Sequence, residues 1–184
     1  MRTLVFLAVA AVLAAVAACQ EKSVMNEGLP KPENGGQVLL EESFERDGQP
    51  SHEGWEVPLA SFANEAPEDG GQWSLQLEPG WAPDEGYGKI CLSDTPGQSK
   101  YRLTVWAKDV HANGRGYVSL GVLSGGEITQ ERRVFVNSPQ WAPVTLEVTL
   151  NLQPGEEICI KLSAGMTEVA TWQVRFDRVR LERM

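Results

Sequence analysis

Four side chains have the types and placement needed to recognise a sugar, which stacks a C–H face on a flat ring and offers its hydroxyls to planar polar groups. In the run from Tyr101 to Lys108, the residues Tyr101, Leu103, Val105 and Ala107 share one parity, so Trp106 falls on the other with Arg102, Thr104 and Lys108. Tyr117 likewise opposes Val118, Leu120 and Val122, and Gln173 and Arg175 oppose Trp172, Val174 and Phe176. If the three strands share a sheet, Trp106, Tyr117, Gln173 and Arg175 form one mixed aromatic and polar face. Arg175 would then favour an acidic glycan, because a guanidinium presents paired planar donors. The alternative is that this is the covered second face of a sandwich. A second group, Trp81 and Tyr87, lies in the Gly/Pro-rich stretch 79–87 and reads either as a recognition loop or as rings folded back over the end of the fold.

Catalytic chemistry has less support. The two histidines, His52 and His111, both sit beside turn residues, and neither a nucleophile elbow of the Gly-x-Ser-x-Gly type nor metal-type His spacing occurs. With 25 Asp and Glu, some carboxylate pair must fall at a glycosidase-like separation, so that pattern carries no information. A non-enzyme is the expectation.

The elements that would hold these residues are strands cut by turns. Alternation places strands near 38–45, 55–58, 73–78, 88–93, 101–108, 116–124, 128–136, 143–152, 157–163 and 170–182. Pro96-Gly97, Asn113-Gly114, Gly125-Gly126, Ser138-Pro139 and Pro154-Gly155 supply turns between them. Ten short strands at this spacing predict an all-β sandwich of two antiparallel sheets. In the last of them Val174 and Phe176 lie on one parity and Val179 and Leu181 on the other, so a bulge is expected near Asp177. Its carboxylate is either a solvated turn residue or an acceptor held for a purpose. Cys91 and Cys159, flanked as Ile90-Cys91-Leu92 and Ile158-Cys159-Ile160, each face away from aliphatic neighbours, and adjacent strands would let them pair.

Five pieces of the chain, Phe44-Glu45, Gly54-Trp55, Ser74-Leu75-Gln76-Leu77, the Tyr101 to Lys108 strand and Asp177-Arg178-Val179-Arg180-Leu181, occur in the order seen in carbohydrate-binding modules with the galactose-binding-like jelly-roll fold. The resemblance covers about residues 38 to 183. It implies a jelly roll, a non-catalytic role in binding carbohydrate, and a structural Ca²⁺ held by Glu45 and Asp177 with backbone carbonyls near the first strand. The resembled modules usually accompany a catalytic domain, whereas the expectation here is a binding module without one.

The chain has 184 residues and a formal net charge of −9, enough for one well-cored domain and without the basic block that nucleic-acid phosphates require. Residues 1–18 read as a lipoprotein signal peptide, since Val16-Ala17-Ala18-Cys19 resembles a bacterial lipobox with Cys19 as the lipidated residue. An ordinary export signal with an incidental Cys is the alternative. Residues 19–37 form the lipidated Cys and a polar tether of about 25 Å, and 38–184 the β-sandwich binding domain. Gln20 after Cys19 favours the outer membrane in the lipoproteins it resembles. The expected protein is exported, held in the cell envelope through lipid and facing an oxidising compartment, with a carbohydrate or an envelope protein as its partner. A structural or assembly lipoprotein, or a small glycan-active enzyme, are the other readings.

Overall fold

The computed structural model describes residues 36–79, 86–111, 115–165 and 173–184. The signal segment, Cys19 and the tether as far as residue 35, together with Trp81 and Trp172, lie outside these residues. Twelve strands are present: β1 (Gln37–Glu42), β2 (Glu45–Arg46), β3 (Gln49–Pro50), β4 (Ser61–Ala63), β5 (Ser74–Leu77), β6 (Tyr87–Ser93), β7 (Gly97–Asp109), β8 (Tyr117–Ser124), β9 (Glu127–Phe135), β10 (Ala142–Leu152), β11 (Glu157–Ser163) and β12 (Val174–Arg183). No helix occurs among the described residues.

Two antiparallel sheets face each other. The larger runs β10-β7-β12-β5-β4 with β1 also on β12, the smaller runs β6-β11-β8-β9, and β2 and β3 pair as a short ribbon. The alternation read from the sequence decides which side chains meet between them. Leu75, Leu77, Leu103, Val105, Val174, Phe176, Val179 and Leu181 come from the larger sheet, and Val118, Leu120, Val122, Ile158, Ile160 and Leu162 from the smaller, all fully buried. Phe44 and Trp55 close one end, their ring centroids 5.3 Å apart. Burying each such side chain contributes roughly 1.5–3 kcal/mol, which is where this fold finds its stability.

The expected bulge is present. Pairing of β12 with β7 shifts register between Asp177 and Arg180, and Arg178 has φ 48. Because β7 occupies one side of β12, both β5 and β1 must use the other: β5 pairs before the bulge at 174–176 and β1 after it at 179–183. Asp177 therefore stands where neither strand reaches. Two expected strands differ. The stretch 55–58 contributes only the bridge Glu56 to Lys89, since Trp55 turns into the core and Pro58 has no N–H to give. The first strand ends at Glu42, so Phe44 and Glu45 belong to the turn and ribbon beyond it.

Candidate functional site

Cys91 and Cys159 stand directly opposite each other on β6 and β11 and form a disulfide, Cα to Cα 4.1 Å, on the outer face of the smaller sheet. The same parity puts a row of residues across that face. Tyr87 on β6 is in register with Ser163 on β11, Ser163 with Tyr117 on β8, and Tyr117 with Phe135 on β9. Phe135 is 49% exposed, an unusual state for so large a ring. The Tyr117 and Phe135 centroids lie 6.3 Å apart with their planes at 72°, so they offer a bent rather than flat platform. Cations lie over the rings: Lys161 Nζ stands 4.8 Å from the Tyr87 centroid and Arg133 Cζ 4.8 Å from that of Tyr117. At the β6 edge Glu56 accepts from the Tyr87 hydroxyl and pairs with Lys89 at 2.8 Å, and these contacts, that of Lys89 first, hold its carboxyl below the usual range.

Trp106, Gln173 and Arg175 are on the other side of the molecule. β7 and β12 belong to the larger sheet and β8 to the smaller, so Tyr117 does not share a face with the other three. The expected four-residue face is corrected on that ground. Trp106 lies under Arg178, whose Cζ is 5.9 Å from its centroid. Arg175 pairs with Glu65 and donates from Nε to Gln76 at 3.1 Å, while Lys108 Nζ meets the same Glu65 at 2.5 Å. Gln173 donates to Glu78 at 3.0 Å. These donors are already engaged by protein acceptors.

The other grouping expected from the resemblance is drawn together in the gap between β1 and β5. Asp177 Oδ1 accepts the Phe44 N–H at 3.3 Å, and Glu45 Oε2 accepts the N–H groups of Gln72 and Trp73 at 2.6 and 3.1 Å. Gly70 and Gly71 let the loop close over both: a Cβ at either would come within 2.6 Å of Asp177 Oδ2 or Glu45 Oε2 respectively. Asp177 is fully buried, and its Oδ2 has no hydrogen-bond partner. Burial, with the nearby Glu45 charge adding a little, pushes its pKa up to about 7 despite the Phe44 and Arg178 N–H groups. A buried carboxylate oxygen left unpaired costs free energy unless something meets it. A cavity of about 200 Å³ lies on the Glu45 side, lined by Ser43, Glu45, Asp47, Asp69, Gly70, Gly71 and Arg178, with Gly70 between it and the Asp177 oxygen. No cluster of three or more His, Cys, Asp or Glu able to hold a metal occurs among the described residues, so a cation here would need main-chain oxygens beside the two carboxylates. Glu45 and Asp177 fit that demand through the unpaired oxygen.

Comparison with solved structures follows from this geometry. The xylan-binding domain CBM22-1 of Paenibacillus barcinonensis Xyn10C superposes with TM-score 0.55 at 17% identity, covering 80% of this chain and 95% of that one. The chain has the fold of a carbohydrate-binding module. A family 16 carbohydrate-binding module agrees, with TM-score 0.52 at 16% identity over 70% of this chain and 90% of that one. The tandem CBM22-1-CBM22-2 domain of the same Paenibacillus protein gives TM-score 0.57 at 14% identity, covering 80% of this chain and 50% of that one. No family model and no curated protein matches the chain by sequence.

The sequence reading found Tyr117 and Tyr87 but not their neighbours. Phe135, Arg133, Lys161 and Ser163 share the outward parity of the cysteines and of Tyr117, and extending that parity along 131–135 and 159–163 would have reached them.

Proposed function

We propose that this protein is a lipid-anchored, non-catalytic carbohydrate-binding protein of the cell envelope, and that it holds its ligand on the outer face of β6-β11-β8-β9. The observation that carries the reading is the row Tyr87, Ser163, Tyr117, Phe135 crossing all four strands in register, with a half-exposed ring at its open end. A sugar chain laid across the strands would stack on these rings and pass over Ser163, whose buried hydroxyl accepts the Gly165 N–H. The fold shared with carbohydrate-binding modules agrees with this. The anchor is the lipid on Cys19, and the outer membrane is the site that Gln20 favours. Asp177 and Glu45 would hold a structural Ca²⁺ that ties the loop 64–73 to β12 and takes no part in binding.

A glycan array probed with the mature protein tests the binding. Tyr117→Ala should weaken a positive glycan by ~2 kcal/mol, as truncating a central stacking ring typically does, with melting unchanged. Trp106→Ala, on the larger sheet, should leave affinity intact. A blank array together with capture of one stoichiometric envelope protein would replace this reading with that of an assembly lipoprotein.

A further inference from the structure

One step along the strands from the aromatic row lies a second row of different character. Lys89 on β6 is in register with Lys161 on β11, Lys161 with Ser119 on β8, and Ser119 with Arg133 on β9. Three of the four positions are cationic, on a chain whose formal net charge is −9. Lys89 and Lys161 are directly opposite each other, an arrangement that destabilises a sheet unless anions offset it. The end cations have their own acids: Lys89 pairs with Glu56 and Arg133 with Glu131. Lys161, on an inner strand, rests against the Tyr87 ring and lies close enough to Glu56 to help hold that carboxyl down, while the close ion pair of Glu56 goes to Lys89. The rows are about 7 Å apart, two residues of strand, and the aromatic row spans three strand spacings or about 14 Å. The charged groups of the cationic row reach back to the rings, Lys161 Nζ and Arg133 Cζ each standing 4.8 Å from a tyrosine centroid, so the acidic groups of a pyranose chain on this face would meet them there.

We infer that the ligand of this face is an anionic polysaccharide, its rings on Tyr87, Tyr117 and Phe135 and its carboxylate or sulfate groups against Lys161, with Lys89 and Arg133 on either side. The inference rests on the carbohydrate-binding reading and narrows it to a charged chain. Lys161 supplies a charge-assisted hydrogen bond that an uncharged chain cannot use, so selectivity for the anionic polymer belongs to this residue.

Affinity electrophoresis and calorimetry of the full mature protein against polygalacturonate, a sulfated galactan and an uncharged galactan test it. Binding of one or both anionic polymers, weakened by added salt, is expected, and which of them binds identifies the carboxylate or the sulfate as the recognised group. Lys161→Gln should lower that affinity about tenfold or more without altering the melting temperature, and Lys161→Arg should restore most of it. If the uncharged galactan binds as tightly as the anionic polymers and Lys161→Gln changes nothing, the inference is overturned while the carbohydrate reading stands. If none of the three binds and the glycan array is also blank, both are removed.

Discussion

Asp177 concentrates more physical consequence than any other single residue here. Its raised pKa means that between about pH 4 and pH 7 the native state keeps a proton that the unfolded chain has released. Stability from this group is therefore complete below about pH 4, falls as pH rises through the window, and is lost above about pH 7. Three units correspond to at most about 4 kcal/mol. Urea midpoints taken in chelator from pH 4.5 to 7.5 should show that fall, and Asp177→Asn, which keeps an acceptor for the Phe44 N–H, should flatten it. Excess calcium should raise the wild-type midpoint near pH 7 and leave Asp177→Asn unmoved, since only a ligand of the native state stabilises it. An identical midpoint with calcium and with chelator would remove the cation from the proposal. The sequence showed that Asp177 sits at a bulge, because the parity of apolar residues reverses around it. What it could not show was that β1 and β5 both stop short of it, and that gap is what buries the carboxylate.

At the scale of elements, the disulfide joins two of the four strands that carry the aromatic row. Cys91 and Cys159 are separated by 68 residues, so breaking the bond should cost about 4 kcal/mol of loop-closure entropy. For a domain of this size, reductant should lower the melting temperature by roughly 10 °C. A second device pins the edge of the smaller sheet. Gln130, at φ 51 beside the register shift in β9, donates its amide to the Asn151 carbonyl at 2.9 Å and accepts the Asn151 N–H at 3.1 Å, standing in for a strand alongside β10. Gln130→Ala should accelerate hydrogen exchange at Asn151 while leaving Leu150 protected. Strand positions were largely legible, because alternation such as Val144, Leu146, Val148, Leu150 and Leu152 is a local property. Strand order was not. Parity tells which side of its own sheet a residue takes, and it says nothing about which sheet that is, so Trp106 and Tyr117 read alike although they lie on opposite faces of the molecule. The short β4 escaped notice because three residues are too few to show a period.

At the scale of the whole molecule, the proposed anchor and ligand use different layers of the sandwich. The tether enters through β1 on the larger sheet, and the aromatic and cationic rows are on the smaller one. Cys19→Ser should abolish acyl labelling and leave either precursor or a product free of lipid, with glycan affinity unchanged. Labelling that persists in Cys19→Ser would show that the lipid is elsewhere.

The pairing of β1 along the end of β12, with Gln37 opposite Arg183 and Gly36 close against the Arg183 backbone, has a mechanical meaning. If the protein is held by lipid on Cys19 and grips a polymer on the far sheet, as proposed, tension would cross the whole sandwich and enter it at Gln37. A pull along the strand axis loads all the β1 to β12 pairs together, as shear. A pull away from the sheet peels them singly, beginning at Gln37. Under that second load β1 is the fuse of the assembly, and its departure uncovers the Asp177 gap before either the disulfide-braced floor or the grip on the polymer is strained.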